Sequence, residues 1–337
     1  MANGYTQVEV LDYRDTFAPI AKLVTIRSVL AIAATKNWSL HQLDVTNAFL
    51  HGDLHEEIYI IPPPGYCKQR ETRVCHLQKS LYRLKQAYRN WFFKISSVFL
   101  AASFRHSHAD HSLFTLSRGT SFTLVLVYVD DLLVAGNHLS VISKLKSFLA
   151  QTFKIKDLGT LKYFLGLKVA HSPAGIFLKQ RNYAFDILID SGHLGARSTH
   201  FPMEQNLKFN DIDGAILLDP SFYHCLVGRL IYLTITRPDF AFPITILSQF
   251  MQQPHQPQYD VAVRILRYIK SSPGQGILFP ATNSLQVFAY SDSDWASCPL
   301  TRHSTTGFFS QLSNSPSLGV PRSNPQFLVL PLKLNIH

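Results

Sequence analysis

The sequence predicts an α+β fold, because strand and helix patterns mix along it without strict alternation. Two stretches, 122–136 and 162–180, read as β-hairpins, and three others, 221–235, 238–252 and 258–270, carry helical patterning one after another. A hydrophobic share of 46% over 337 residues suffices for two or three packed cores and excludes a generally disordered chain.

Residues 5–37 begin polar and become apolar at helical spacing from Thr25 to Ala34. SLHQLDV (39–45) reads as a short strand ending in an acid, and IYIIPPPGY (58–66) as a strand closed by prolines that cannot continue a ladder. From Gln78 to Phe104 the pattern is helical. Leu81, Leu84, Trp91, Ile95, Val98 and Phe99 line one side, while Lys79, Arg83, Lys85, Arg89 and Lys94 add a basic surface. FTLVLVYVDDLLVAG (122–136) places two aspartates between two apolar runs, and a helix follows at 139–152. In KYFLGLKVAHSPAGIFLKQ (162–180), SPAG is the turn. The composition shifts after about residue 205 to a separate helical unit, 206–283, with Pro220 and Pro238 near helix starts, where a missing N–H matters little. Pro243 falls inside the second of these helices, where a proline is expected to cost about 3 kcal/mol. SLQVFAYSDSDWA (284–296) returns to strand character and opens a third unit.

Lys and Arg outnumber Asp and Glu by 32 to 22, a formal charge of +10 that favours a polyanionic partner, nucleic acid first. Cys67, Cys75, Cys225 and Cys298 form no C-x-x-C pair and no zinc-like spacing, so neither a disulfide framework nor a zinc site is expected. No signal pattern and no apolar run of roughly 18 residues appears, which reads as a soluble intracellular protein with no membrane partner.

The strongest local signal is LVLVYVDDLLVAG (124–136). Asp130 and Asp131 sit between runs that should be buried, and Asp-Asp is a poor two-residue turn compared with Asn-Gly or Asp-Gly. A solvated hairpin turn is the plain alternative. A buried carboxylate without a partner is expensive, however, and a divalent cation such as Mg²⁺ resolves that with oxygen ligands. Asp44, in LDVTNAFLHGD (43–53), ends a short strand, from which an acid can face a cleft; alone it reads equally as an ordinary strand-end aspartate. Together the two sites meet the requirement of two-metal phosphoryl transfer for carboxylates from different strands.

LDVTNAFL, LYRLKQAYRNW, YVDDLLVAG and FKIKDLGTLKYFLGLKV stand in the order of the reverse transcriptase motifs of Ty1/copia-type retrotransposon Pol polyproteins, which the chain resembles from about residue 4 to 315. DYRDTFAPIAKLVTIRSVLAIAA resembles the family's finger segment, VGRLIYLTITRPDFAF and AVRILRYIKSSPGQGIL its downstream helices, and AYSDSDWASCPLTRHSTTGF the start of its RNase H domain. The resemblance implies a right-hand polymerase. Incomplete fingers and an antiparallel palm would occupy 1–205, a helical thumb-like region 206–283, and a truncated RNase H-like start 284–315. Asp44, Asp130 and Asp131 match the catalytic metal ligands, with the Val45 carbonyl as a further one and Mg²⁺ (Mn²⁺ as substitute) as cofactor. Phe49 matches the steric gate against a ribose 2′-hydroxyl, or is a core phenylalanine; Lys85 and Gln86 fall near the incoming nucleotide. Lys156 or Lys162 could give a proton to pyrophosphate, or be solvated surface lysines. Asp292 matches the first RNase H carboxylate. The implied reaction is RNA-directed DNA synthesis, with an RNA or DNA primer–template and deoxynucleoside triphosphates as partners, in a cytoplasmic particle or the nucleus.

Several positions depart from the family. Its LYGLKQAPR motif has glycine where this chain has Arg83 and proline where it has Tyr88; glycine permits φ > 0 and close approach of a substrate. The family's basic finger strands are expected upstream of Met1. Residues 317–337 do not resemble the family, but codons allowed for them, shifted by two bases, can spell S-W-C-S-K-K-Q-S-T-V-S-R-S-S-T-E-A-E-Y, which resembles the RNase H continuation. A frameshift near 313–317 is therefore expected, with a poorly packed tail over 316–337 and no RNase H activity. Two alternatives stay open beside the polymerase: a non-catalytic nucleic-acid-binding remnant, and a decayed product without function.

Overall fold

The computed structural model describes residues 4–62, 65–66, 73–204, 207, 209, 214–282, 284–294, 305–312 and 315–323. The chain divides into two compact units, one of residues 1–29 and 36–161 and one of 30–35 and 162–337. Among the described residues no helix is long and apolar enough to cross a membrane.

Helix α1 (Leu23–Lys36) leads into β1 (Ser39–Val45). A two-stranded ribbon of β2 (Tyr59–Ile60) and β3 (Cys75–His76) precedes α2 (Ala87–Ala101), and β4 (Arg105–His106), β5 (Leu113–Arg118), β6 (Ser121–Tyr128), β7 (Asp131–Gly136), α3 (Leu139–Thr152) and β8 (Ile155–Thr160) follow. The six strands β4-β5-β6-β7-β1-β8 form one antiparallel sheet. Successive side chains of a strand point to opposite faces. Leu43 and Val45, Val125 and Val127, and Leu132 and Val134 thus share one face, packed with Trp91, Ile95 and Phe99 of α2 and Ile142, Leu145 and Leu149 of α3. Central strands buried on both faces lose the alternation of a half-exposed sheet, which is why 124–127 and 132–135 read as unbroken apolar runs.

The helix expected from Gln78 begins only at Ala87. Residues 77–80 spend their backbone bonds elsewhere: the amide of Leu77 donates to Ile58, that of Ser80 to Gly52, and the carbonyl of Gln78 accepts from Leu54. Arg83, with φ 75°, lies outside the right-handed helical region.

The second unit contains β9 (Tyr163–Phe164), β10 (Leu167–Ser172), β11 (Gly175–Lys179), α4 (Arg181–Asp190), α5 (Ser221–Leu233), α6 (Ala241–Leu247), α7 (Gln256–Ser271) and β12 (Gly276–Pro280). The order β12-β11-β10-β9 makes a second antiparallel sheet. Leu188, Val227, Leu230, Leu247, Ile265 and Ile269 are among the residues that fuse α4–α7 into one core. The division falls at 161/162, ahead of the composition shift near 205, because β12 returns after α7 to pair with β11. Pro243 is the third residue of α6, preceded by a 3₁₀ turn over Pro238–Phe240. In the first helical turn the missing N–H is one of the donors without an intrahelical acceptor, so Pro243 is no helix breaker, against the sequence expectation.

A three-stranded antiparallel sheet closes the described chain: β13 (Val287–Asp294), β14 (Thr305–Leu312) and β15 (Ser315–Ser323). Residues 315–323, expected to be part of a poorly packed tail, pair instead along β14. An edge strand needs only backbone bonds on one side and tolerates its two prolines, Pro316 and Pro321. Residues 324–337 of that tail lie outside the described residues, as do Cys67, Cys298 and 313–314 of the expected frameshift.

Candidate active site

Backbone pairing alone gathers the three acids. Asp44, next to last in β1, pairs with Asp131, the first residue of β7. Asp130 sits in the two-residue loop between β6 and β7, and its carbonyl accepts the amide of Val45 at 2.9 Å. The loop is therefore Val129–Asp130 and not Asp130–Asp131. Val129 takes φ 56°, a conformation disfavoured for any non-glycine residue and most of all for a β-branched one. The Nε1–H of fully buried Trp91 donates to the Val129 carbonyl at 2.6 Å.

All three acids are half-buried. Burial, the largest influence on Asp131, pushes its carboxyl above the usual range; Gln42, whose Nε2 donates to Asp131 Oδ1 at 3.0 Å, opposes the rise, and the charges of Asp130 and Asp44 add to it. Among the described residues none of the three has an ion-pair partner. Nor is any trio of His, Cys, Asp or Glu side chains there arranged as a ready metal cage. Lys156 of β8 pairs with Asp44 across the strands, which puts Asp131, Asp44 and Lys156 in one row on one face.

Asn47, left-handed at φ 55°, turns the chain into a 3₁₀ segment, Ala48–His51, that carries Phe49. Gly52 ends it where a Cβ would come within 2.8 Å of the Trp91 amide nitrogen, so the turn can sit against α2. Half-buried Phe49 meets Tyr82 edge-on, ring centroids 4.9 Å apart, and lies 6.4 Å from the ring of Tyr88. The Tyr82 hydroxyl is pushed up by burial and then by the charges of Asp130 and Asp44, whose field it feels.

Lys85 and Gln86 lie against the N-terminal segment. Gln86 is fully buried, accepts from Gln7 Nε2 at 3.1 Å and donates to the Asp12 carbonyl at 3.0 Å. Lys85 Nζ donates to the Gln7 carbonyl and the Tyr13 hydroxyl, over whose ring it also lies. Arg83, at φ 75°, takes the left-handed conformation that a glycine in its place would adopt freely. Asp292 belongs to β13, opposite Gly307 of β14.

Two members of this neighbourhood escaped the sequence reading. Gln42 was legible: two residues before Asp44 on a strand, it must share that residue's face. Tyr82 was not, because it enters the field of the acids through an irregular loop whose path no periodicity encodes.

Residues 1–205 match the family described as reverse transcriptase (RNA-dependent DNA polymerase). The chain is 41% identical over 317 residues to the retrovirus-related Pol polyprotein from transposon RE1 of Arabidopsis thaliana, covering 94% of this chain and 22% of that one. With the Pol polyprotein from transposon TNT 1-94 of Nicotiana tabacum it shares 32% over 321 residues, 91% of this chain and 24% of the relative. An uncharacterised mitochondrial protein of Arabidopsis thaliana matches at 40% over 184 residues, 55% of this chain and 76% of that protein. The chain thus spans less than a quarter of the polyproteins it resembles.

Proposed function

The chain belongs to the reverse transcriptase (RNA-dependent DNA polymerase) family of copia-type Pol polyproteins, and on that premise we propose that its carboxylate hairpin is a nucleotidyl-transfer site. The observation that supports this best is the register that sets Asp44 opposite Asp131 while Val45 holds the Asp130 carbonyl. Half-buried acids with no cation of their own are a fit donor set for a hard divalent ion, and charge relief at Asp131 favours its binding. Asp44, Asp130 and Asp131, with the Val45 carbonyl, would hold it. The chemistry a bound Mg²⁺ or Mn²⁺ supplies is activation of a primer 3′-hydroxyl and neutralisation of charge on the triphosphate.

The remaining roles fall to this chain's own groups. Phe49, backed by Tyr82, blocks the space a ribose 2′-hydroxyl would need. Lys156, in the row of Asp44, is better placed than a remote lysine to pass a proton to the leaving pyrophosphate. Gln86, buried and saturated, serves the nucleotide only by fixing the N-terminal segment, whereas exposed Lys85 keeps an ammonium that can exchange its contacts for a phosphate. In this reading the six-stranded sheet with α3 is the palm and residues 1–40 and 50–100 are partial fingers. The helices after 205 form the thumb-like region, and β13 carries the first RNase H-like carboxylate, Asp292. The excess of positive charge, +10, binds the primer–template backbone. That binding should weaken by about 10³ to 10⁵ between 50 and 200 mM salt if six to ten phosphates are contacted.

The test is primer extension by the full chain on an RNA template with labelled deoxynucleotides and Mg²⁺, beside Asp130→Asn. We expect the variant to lose roughly 10⁴-fold in rate. Equal extension by both proteins would sink the assignment. A folded chain that binds the template and extends nothing would instead favour the second reading, a nucleic-acid-binding remnant, to which the side chain at Arg83 points.

A further inference from the structure

Helix α3 carries more apolar surface than its core uses. Ile142, Leu145 and Leu149 pack into the core of the six-stranded sheet. Beside that stripe Val141, Lys144 and Phe148 stand at i, i+3 and i+7, a second line along the same flank of the helix. Phe148 is left 36% exposed. With Leu145 these three residues form one wall of a cleft of about 270 Å³. The facing walls come from the end of α2, through Ala102 and Phe104, and from the β5–β6 hairpin, through Leu116, Arg118 and Ser121. Phe104 and Leu145 are buried, and Ala102 and Leu116 pack against the core, so the cleft has an apolar floor.

Its charged groups are all of one sign. Arg118 pairs with Ser121 across the turn Gly119–Thr120, where Gly119 takes φ 59°, and Lys144 stands on α3. Both cations are exposed. Among the described residues neither has an ion-pair partner, and no acid lines the cleft. An apolar cavity with a few charged groups that fix orientation is the usual make-up of a small-molecule site, and this one lies just below the common range of about 300–1,000 Å³. A single turn of helix, roughly 420 Å³ from its diameter and pitch, exceeds the cleft, so a small ligand fits it better than a docked helix does.

We propose that this cleft binds a small apolar carboxylate, with its alkyl or aryl body against Phe104, Leu116 and Phe148 and its head group between Arg118 and Lys144. A carboxylate matches the planar fork of an arginine and supplies the negative charge that the lining lacks. The site stands apart from the nucleotidyl-transfer reading: Ser121 opens β6, whose eight residues run roughly 23 Å before the loop of Asp130.

The full chain is titrated calorimetrically with decanoate, decanol and decyltrimethylammonium, which share an alkyl chain and differ in head group, each below its micelle concentration. Decanoate should bind one per chain and about tenfold tighter than decanol, since an exposed ion pair adds up to about fivefold for each cation. The ammonium compound should bind weakest. Ala102→Trp, which fills the cleft, should abolish binding of all three. Arg118→Glu combined with Lys144→Glu alters two exposed side chains, so the protein should fold, and should favour the ammonium compound over decanoate. Raising the salt from about 50 to 500 mM should weaken decanoate several-fold without weakening decanol, a readout that needs no variant.

Equal binding of the three amphiphiles overturns the proposal, as does decanoate binding that survives Ala102→Trp in a folded protein. If Ala102→Trp does not fold, the double variant and the salt series decide: decanoate affinity unchanged in either places the ligand elsewhere. Absence of binding up to about 1 mM also overturns it. If that chain is a dimer in light scattering and Phe148→Asp makes it a monomer, a second copy covers the cleft instead.

Discussion

Asp131, at the start of β7, and Asp239, in the turn before α6, are both drawn partly out of water, and burial is the largest influence on each. Yet their carboxyls move in opposite directions, Asp131 up and Asp239 down. The neighbours differ. Arg237, with its side chain 1% exposed, donates Nε and Nη2 to Asp239 at 2.9 and 2.8 Å. It spends Nη1 on the Ser272 carbonyl at 2.7 Å and lies over the rings of Phe240 and Tyr268. Asp131 receives one neutral amide, from Gln42, and faces two like charges. A buried acid supplied with its own guanidinium is a structural staple. One surrounded by other acids lacks a cation, and that is the condition under which a perturbed carboxylate marks a functional site.

If that contrast is right, giving Asp131 a counter-ion should convert the site into a staple. Gln42→Arg should lower template extension by about 100-fold or more while raising thermal stability, and an active, Mg²⁺-dependent Gln42→Arg would break the comparison. The reverse change, Arg237→Met, leaves Asp239 uncompensated and should remove about 3 kcal/mol of stability in denaturant titration. The pH response follows with opposite signs. The Asp239 carboxyl is depressed below 3.8 in the folded chain, so its contribution is present above that pH and is lost as pH falls through the folded value. Arg237→Met should therefore flatten the acid limb of the stability profile. The Asp131 carboxyl is raised above 3.8, so its ionisation works against folding as pH rises past that value. Asp131→Asn should raise the Tm at pH 7 and leave it unchanged at pH 3; a lower Tm at pH 7 would show that ionised Asp131 has a partner. The smallest effect is expected at Arg83. Glycine there removes the left-handed penalty, partly offset by unfolded-chain entropy, for a gain of about 0.5–1 kcal/mol. Recovery of extension along with that stability would tie the departure at Arg83 to lost activity.

Much of this was legible before any coordinates. Strand patterns at 39–45 and 122–136 and the helix at 139–152 appear where periodicity puts them, because alternation and 3.6-residue spacing are local consequences of burying one face. The acids were legible for the same reason, since charges inside apolar runs stand out. The helix from Gln78 was misread because its apolar spacing continues through residues whose backbone bonds go to 52–58, a pairing that local pattern does not carry. Pro243 was misread by a matter of boundary: three residues decide between a broken helix and a tolerated first turn.

The sequence by itself determined the family and the mixed helix-and-sheet class of fold, and it singled out the three acids as candidates, all of which depend on residue type and spacing along the chain. Only the tertiary structure decided that Asp44 faces Asp131, that Val129 and not an aspartate opens the turn, and that Trp91 holds the carbonyl of that residue. It also decided the opposite shifts of Asp131 and Asp239. Each of these rests on contacts between residues far apart in the chain, and register, left-handed strain and the field at a carboxylate are properties of the assembled neighbours.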